Sequence, residues 1–246
     1  MIRKQYAAPI RALATDYDGT LARHGVVAAP TLAALERFKA SGRTLLMVTG
    51  RELPDLRSVF PALDLFDAVV AENGALLHRP GFADALLALP APTALVGELR
   101  RRGVTPLAVG RSIIATLSAN AASVEAAIAA SAPRWRMIFN NDSVMVLPEG
   151  VDKASGLMAA LHVLGLAPAE VLGVGDAEND HPFLAACGVS AAVANALPAL
   201  KAEVDIVTEG EEGAGVAWLI GQLLDGGLDR LVRGRQTTAA ATPGSS

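Results

Sequence analysis

Two aspartates near the N-terminus stand two residues apart, directly after a short apolar run. They lie in the segment Ala14-Thr15-Asp16-Tyr17-Asp18-Gly19-Thr20-Leu21, and the apolar residues before it predict a buried strand. Gly19 permits a sharp turn where that strand ends. Aspartate carboxylates are hard oxygen ligands that suit Mg²⁺, and one of them can also attack phosphorus to form an aspartyl-phosphate. The segment therefore predicts a metal site with a nucleophile, or else only a solvated turn.

A second acidic segment follows another apolar run later in the chain. Val171-Leu172-Gly173-Val174 predicts a strand, and Gly175-Asp176-Ala177-Glu178-Asn179-Asp180 comes directly after it. Open α/β sheets bind their ligands at the carboxyl ends of strands, so the two acidic segments are predicted at one edge of a sheet. The alternative is a helix N-terminus with acidic residues in its first turn. A dinucleotide fingerprint is excluded, because a third glycine is missing at the required spacing.

The elements that must position these residues alternate as strand and helix. Helices are predicted at 30–40, 54–60, 153–164 and 215–224 with a further helix start near Pro198, and strands at 10–14, 44–48, 68–71, 171–174, 189–193 and 205–207. Asp152 is predicted to be the N-cap of the helix at 153–164. Alternation of this kind is typical of a parallel sheet.

The alternation stops between two turn clusters, Arg79-Pro80-Gly81 and Pro148-Glu149-Gly150. Between them the pattern predicts a helix at 92–102, strands at 104–109 and 112–117, a helix at 121–130, and strands at 135–139 and 143–147. Consecutive hairpins favour an antiparallel sheet. We therefore predict an α/β fold whose parallel-sheet core comprises 1–79 and 151–232, with an inserted αββαββ domain at 80–150 and a disordered tail at 233–246.

Composition limits the possible partners. The 246 residues are 52% hydrophobic with a net charge of −4, and they show no basic stripe, which argues against nucleic acid. The sequence contains no run of roughly 20 apolar residues, the length that a membrane span needs. The basic N-terminus is not followed by the apolar segment of a secretory signal. The single cysteine, Cys187, excludes an internal disulfide and fits a reducing compartment, so we expect a cytoplasmic protein. The four histidines lack metal-ligand spacing.

Taken in order, the polar segments resemble the four motifs of the haloacid dehalogenase (HAD) phosphohydrolases, in the Cof-like branch known as subfamily IIB. The first segment matches the pattern Asp-x-Asp-Gly-Thr-Leu, Thr49-Gly50-Arg51 the second motif, Lys153 the third, and Gly175-Asp176-x-x-Asn179-Asp180 the fourth. The resemblance implies a Rossmann-like HAD core. The inserted domain is placed as a type C2 cap, similar to that of archaeal phosphoglycolate phosphatases and sucrose-phosphate phosphatase-like proteins.

The resemblance also implies a function and a cofactor. The chain would be a Mg²⁺-dependent phosphatase for a small phosphorylated metabolite of the phosphoglycolate or sugar phosphate class. Asp16 would be the nucleophile and Asp18 the general acid and base. Asp16, Asp176 and the backbone carbonyl of Asp18 would hold Mg²⁺, with Asp180 supporting them.

Six further residues would bind phosphate or substrate in such an enzyme: Thr49, Gly50, Arg51, Asn73, Lys153 and Asn179. A hydroxyl and a backbone N–H at a strand end can hold phosphate oxygens, and the Lys153 ammonium would neutralise charge. Ala154 departs from the family, which commonly has glycine there.

Structural alternatives remain open for several of these residues. Thr49-Gly50 and Glu72-Asn73-Gly74 could be simple turns, Arg51 could cap a helix, and Lys153 could lie on the surface. Asn195 is interpreted first as a helix cap.

Two other functions compete with a phosphatase. One is a phosphotransferase or phosphomutase of the same fold, and the other is a receiver-like module that stores phosphate on aspartate. A domain inserted over the site argues against the receiver, because such a cap excludes water and selects small ligands. Substrate specificity is predicted to lie in that domain, at Arg111, Arg136, Asn140 and Asn141. The sequence predicts neither the substrate itself nor the oligomeric state.

Overall fold

The computed structural model describes residues 8–140 and 142–228, and the described part contains two β-sheets. Asn141 and the predicted tail at 233–246 lie outside the described residues.

The strands are β1 (Ala12–Thr15), β2 (Thr44–Val48), β3 (Ala68–Ala71), β4 (Leu76–His78), β5 (Ala85–Leu86), β6 (Ala108–Val109), β7 (Ile114–Leu117), β8 (Trp135–Asn140), β9 (Ser143–Pro148), β10 (Val171–Gly175), β11 (Val189–Ala192) and β12 (Ile206–Val207). The α-helices are α1 (Ala29–Ala40), α2 (Leu53–Val59), α3 (Thr93–Arg101), α4 (Ala121–Ser131), α5 (Lys153–Leu164), α6 (His181–Ala186), α7 (Pro198–Glu203) and α8 (Glu212–Leu224).

The larger sheet has eight strands in the order β12-β11-β10-β1-β2-β3-β4-β5. The six strands from β12 to β3 are parallel to their neighbours. All residues of β1 are buried, as its apolar sequence predicts for a strand covered on both faces. Because β1 lies between β10 and β2, the strand order reverses there, and such a point is where open α/β sheets bind ligands. The predicted α/β fold is confirmed.

Two short antiparallel strands extend this sheet beyond the prediction. β4 pairs with β3, and β5 pairs with β4. With three and two residues, they are too short to give an alternating pattern in the sequence. β5 comes after residue 80, so the larger sheet includes a strand from the region that we predicted as inserted. The boundary at 79/80 stays a prediction.

The smaller sheet has the order β6-β7-β9-β8 and is antiparallel throughout. We call this sheet together with α3 and α4 the cap. One apolar cluster, which includes Leu95, Leu99, Val124 and Val146, joins the two helices to the sheet. A second cluster of Ala75, Ile113, Met145 and Leu147 joins the cap to the core at Ala75, the residue before β4. The element order αββαββ is the predicted one.

Two boundaries in the cap differ from prediction for hydrogen-bonding reasons. The strand predicted at 104–109 is reduced to β6, because Pro106 has no N–H to donate to a ladder. β7 begins at Ile114 instead of Ser112, because the N–H groups of Ser112 and Ile113 donate to Glu72.

The N-terminus of α5 is fixed as the sequence predicts. Asp152 is the N-cap, and its side chain accepts a hydrogen bond from Ser155 N at 2.9 Å. The Ser155 hydroxyl in turn accepts from Asp152 N at 3.0 Å, which completes a reciprocal pair. This arrangement places Lys153 in the first turn of α5.

In the described part of the chain, no helix has the length and apolar content that a membrane crossing requires.

Candidate active site

Polar side chains follow four neighbouring strands at one edge of the larger sheet. Asp16 comes directly after β1, Thr49 after β2, Glu72 after β3 and Asp176 after β10. Because these strands are parallel and adjacent, their carboxyl ends meet, and residues far apart in sequence become neighbours.

Three aspartates and one lysine form the centre of this edge. Asp16, Asp176 and Asp180 each offer a carboxylate oxygen, and these oxygens all lie within 4.8 Å of one another. The Lys153 ammonium lies 2.6 Å from Asp16 Oδ1 and 2.6 Å from Asp180 Oδ1. Lys153 is 2% exposed, so it is a buried ion-pair partner and the surface alternative is wrong.

The loop after β10 is held by its own carboxylate. Asp180 Oδ2 accepts hydrogen bonds from the backbone N–H groups of Asp176 and Ala177, at 2.8 and 3.0 Å. Asp176 Oδ1 accepts from the Thr20 hydroxyl at 2.6 Å. A Cβ on Gly19, whose φ is +76°, would lie 2.5 Å from Asp176 Oδ2. Gly19 therefore serves both as a turn residue and as the space in which Asp176 lies.

Burial and mutual repulsion shift the pKa values of this cluster. Burial raises the pKa of Asp16 well above its usual value, and Asp180 and Asp176 raise it further while Lys153 opposes them. Burial, followed by repulsion from Asp180, raises the pKa of Asp176 to about 6. Burial alone would lower the pKa of Lys153, but Asp16 and Asp180 outweigh it and raise that pKa.

The donor set fits a divalent cation. Three carboxylates face one ammonium group, so ionising all of them leaves two negative charges without a partner in the cluster. Oxygen ligands of this type suit Mg²⁺, and a cation would oppose the burial and the repulsion that together raise the two aspartate pKa values. Both oxygens of Asp180 already accept hydrogen bonds, which agrees with a supporting role for that residue.

The carboxylate of Asp18 points to a different partner. Arg51 Nε and Nη2 donate to its two oxygens at 2.6 and 2.7 Å, and Arg51 Nη1 donates to Asp55 at 2.6 Å. The same guanidinium lies 5.4 Å from the centre of the Tyr17 ring. Arg51 is thus a bidentate partner of Asp18, a contact that the sequence did not predict. The Asp18 side chain remains 46% exposed, outside the buried aspartate cluster.

Thr49 and Gly50 follow β2, and Gly50 lies against the cap. Thr49 is 1% exposed, and its hydroxyl oxygen accepts from Arg51 N at 3.1 Å. A Cβ on Gly50 would lie 3.2 Å from Met145 Sδ, so glycine leaves room for the cap at this point.

Asn73 and Asn179 come together although 106 residues separate them. Asn179 Nδ2 donates to Asn73 Oδ1 at 3.0 Å. Asn73 is 0% exposed and Asn179 is 5% exposed. Asn73 Nδ2 and Asn179 Oδ1 have no hydrogen-bond partner within the described residues. Buried polar atoms are seldom left unpaired, so a donor and an acceptor remain available to a ligand here.

The predicted specificity residues have different surroundings. Arg136 lies beside Val151 O and Asp152 Oδ2, at 3.3 and 3.4 Å, and so binds near the start of α5. Asn140 Oδ1 is buried without a partner in the described part of the chain. Arg111 is exposed, and its backbone N–H donates to Glu72.

Two residues connect the site to its surroundings through contacts that the sequence did not predict. The Thr20 hydroxyl binds Asp176, although its place in the first motif gave no sign of that contact. Asn195 Nδ2 donates to Gly19 O at 2.7 Å, and Asn195 Oδ1 accepts from Glu212 N at 2.7 Å. Asn195 therefore caps the first turn of α8 from a separate loop and also fixes the turn after Asp18. This contact explains why α8 begins at Glu212, three residues before the predicted start.

Comparison with known proteins identifies similar sequences and structures. A family model described as haloacid dehalogenase-like hydrolase matches residues 13–84 and 114–220. The chain is 30% identical over 229 residues to a phosphoglycolate phosphatase of Aeropyrum pernix, an alignment that covers 89% of this chain and 96% of that protein.

Solved structures agree in fold. A HAD/Cof-like hydrolase from Plasmodium vivax superposes with a TM-score of 0.76 at 20% identity, covering 89% of this chain and 97% of that one. A HAD subclass IIB sugar phosphatase superposes with a TM-score of 0.72 at 18% identity, covering 88% and 99%.

Proposed function

The chain belongs to the haloacid dehalogenase-like hydrolase family, as the resemblance of its motifs predicted, and on this premise we propose that it is a Mg²⁺-dependent phosphatase. Its substrate would be a small phosphorylated metabolite, and Asp16 would carry the phosphoryl group between two steps.

One observation carries the proposal: Asp16, Asp176 and Asp180 converge with Lys153 at the switch point of the parallel sheet. A carboxylate that approaches a phosphate meets repulsion on the order of 4 kcal/mol for one charge pair at ~4 Å in a medium of dielectric ~20. The Lys153 ammonium, 2.6 Å from Asp16 Oδ1, offsets part of that repulsion. A nucleophilic aspartate at this position is therefore chemically reasonable.

In the first step, a carboxylate oxygen of Asp16 forms a bond to phosphorus while the bond from phosphorus to the leaving oxygen breaks. Asp18 gives its proton to that leaving oxygen, which departs as an alcohol. In the second step, Asp18 takes a proton from water, and the water oxygen attacks phosphorus. The bond between phosphorus and Asp16 breaks, which releases inorganic phosphate and restores both carboxyl groups.

Asp16, Asp176 and the Asp18 backbone carbonyl would hold the cation, with Asp180 orienting the loop and Lys153. Bound Mg²⁺ would neutralise charge on the transferring phosphoryl group. Thr49, Asn73 and Asn179 would supply hydrogen bonds to phosphate and substrate oxygens, because each is buried and follows a strand whose carboxyl end lies at the same edge as that of β1.

The substrate class follows from the relatives. Proteins named phosphoglycolate phosphatase match along 96% of their length, and a sugar phosphatase shares the fold. We therefore propose phosphoglycolate and sugar phosphates as the first substrates to test.

The test measures phosphate release from 2-phosphoglycolate, a panel of sugar phosphates and p-nitrophenyl phosphate, with Mg²⁺ and with EDTA. We expect release that requires Mg²⁺ and disappears in Asp16→Asn. Release of free phosphate also separates a hydrolase from a phosphotransferase, which would deliver the group to a second alcohol. Activity that persists in Asp16→Asn would contradict the proposed nucleophile.

A further inference from the structure

We propose that Glu72 is a positioning residue that fixes the cap over the active site by holding the backbone of the cap turn 110–113. Glu72 follows β3 in the core, whereas the turn joins β6 to β7 in the cap. The carboxylate thus connects the core to the cap.

Three consecutive backbone N–H groups of the turn donate to this one side chain. Arg111 N lies 3.0 Å from Glu72 Oε1, and the amides of Ser112 and Ile113 lie 2.8 and 3.0 Å from Oε2. Successive N–H groups arranged in this way form a concave anion-binding site. Hydrogen bonds from amides to a carboxylate are stronger than those between neutral groups. Glu72 is 1% exposed, so water competes little for these bonds.

The surroundings are shaped to admit the carboxylate. A Cβ on Gly110 would lie 2.9 Å from Glu72 Cδ, and only glycine avoids that contact. Ile113, which follows the held amides, packs with Ala75, Met145 and Leu147 in the apolar cluster between core and cap. The polar contact therefore lies beside an apolar one, and both join the same two parts.

The backbone that presents Glu72 is unusual. Glu72 and Asn73 have φ values of +51° and +53°, and Gly74 follows at +110°. Residues other than glycine seldom adopt the left-handed region, and they persist there only when their surroundings demand it. The conformation directs Glu72 to the cap and brings Asn73 to Asn179 in the loop after β10. One strained turn thus contacts both the cap and the proposed active site.

The same turn packs against the helix that carries Lys153. A Cβ on Gly74 would lie 1.9 Å from Asp152 O, so the turn lies in direct contact with the start of α5. The cap is consequently positioned relative to Lys153 and Asn179 through residues 72–74. We infer that Glu72 controls how the cap meets the leaving group of the substrate, an inference that rests on the proposed phosphatase function.

The direct test is hydrogen exchange, which needs no activity. In Glu72→Gln, an NH₂ group replaces one acceptor oxygen, so we expect amides 111–113 to exchange at least about tenfold faster than in the wild-type protein. Glu98→Gln is the matched control. Glu98 is also buried, but it accepts hydrogen bonds from Arg101, the last residue of α3, and from Arg102, which follows it. That variant should leave exchange at 111–113 unchanged. Unchanged exchange in both Glu72→Gln and Glu72→Ala would overturn the proposal.

Steady-state kinetics distinguish positioning from stability. If Glu72 positions the cap, KM for the phosphorylated metabolite should rise by about tenfold in Glu72→Gln while kcat changes much less, because Asp16 and Lys153 are untouched. A merely structural role would reduce the fraction of folded enzyme, which lowers kcat at constant KM. Faster exchange with an unchanged KM would therefore overturn the positioning role. If the wild-type protein hydrolyses none of the phosphates tested, the proposed function fails, and the exchange measurement still decides whether Glu72 holds the cap.

Discussion

Arg51 binds both oxygens of Asp18 and thereby orients the residue to which we assign proton transfer. Asp18 can carry a proton to the leaving oxygen only when one of its oxygens is free of Arg51, so one contact must open during the reaction while the other keeps the carboxyl oriented. The bidentate contact needs the planar guanidinium, which lysine cannot reproduce. Arg51 is therefore expected to act mainly through Asp18.

The variant Arg51→Lys tests this role. Esters with alkyl leaving groups require protonation, so the rate of their first turnover should fall by roughly 10²-fold, the lower range for general acid catalysis. p-Nitrophenolate leaves without a proton, so its first-turnover burst should change much less, whereas its steady-state release also depends on Asp18 as the base of the second step. Asp55→Asn is the control, because Asp55 contacts only the outer Nη1 of Arg51. Equal losses of the first-turnover rate for both kinds of ester would show that Arg51 acts otherwise.

Lys153 is the sole cation with ion pairs to the buried aspartates in the described part of the chain. Replacing it in Lys153→Met leaves Asp16 and Asp180 without a counter-charge. Breaking a buried ion pair in this way typically costs about 3–5 kcal/mol of unfolding free energy.

Urea denaturation in the presence of EDTA measures that loss. The control Lys39→Met removes an ion pair with Asp67 in which both side chains are about one-third exposed, and it should cost only about 0–1 kcal/mol. Similar losses in the two variants would contradict the buried pairing of Lys153.

The sequence identified the residues of the cluster but not all their contacts. Asp16, Asp176 and Asp180 follow apolar strands, so their convergence could be predicted from strand ends alone. The pairing of Asp18 with Arg51 spans 33 positions, and that of Glu72 with the cap turn spans about 40. Such contacts depend on side-chain directions that no periodicity encodes.

The helix α5 approaches the larger sheet more closely than most helices could, because two glycines meet there. A Cβ on Gly156 would lie 2.4 Å from Val70 Cγ1 and 2.6 Å from Gly74 Cα. This close approach places Lys153 within reach of Asp16.

Gly156→Ala should therefore displace α5 and destabilise the protein by about 1–3 kcal/mol, as overpacking usually does. Phosphatase activity should fall as well, because Lys153 moves with the helix. Gly221→Ala in α8 is the matched control: apart from the nearby backbone of its own helix, no atom of the described residues lies within 4 Å of the added Cβ, so it should stabilise by about 0.4–1 kcal/mol. Thermal denaturation of both variants checks the opposite signs, and stabilisation by Gly156→Ala would contradict the packing.

Elements with a strong pattern could be predicted almost to the residue. β2 and β3 have the predicted bounds, as does α5 with its N-cap at Asp152. β4 and β5 were missed because strands of three and two residues contain too little periodicity. Their position at the sheet edge depends on tertiary pairing with β3.

The aspartate cluster couples the stability of the whole molecule to pH and to metal. Without metal, the pKa of Asp176 is raised from 3.8 to about 6 in the folded protein. Between these values the folded state binds more protons than the unfolded state, so the free energy of unfolding falls as pH rises. The full effect for this one group is at most on the order of 3 kcal/mol.

In EDTA, the raised pKa of Asp176 should therefore make the free energy of unfolding lower at about pH 7.5 than at about pH 5. The contribution is isolated by comparison with Asp176→Asn, in which this fall with pH should be smaller. Mg²⁺ should raise the wild-type stability at the higher pH, because a ligand that binds only the folded state stabilises it. Identical pH profiles in wild type and variant would contradict the assigned cause.

The most direct test of the mechanism is to trap phosphate on Asp16. In Asp18→Asn, the first step with p-nitrophenyl phosphate needs no acid, whereas hydrolysis of the phosphorylated enzyme lacks its base. Mixing this variant with Mg²⁺ and p-nitrophenyl phosphate should release a burst equal to the number of active sites. Mass spectrometry of the acid-quenched protein should then find phosphate on Asp16. A wild-type enzyme active in the same assay, combined with phosphate on another residue or with no burst in the variant, would contradict the account.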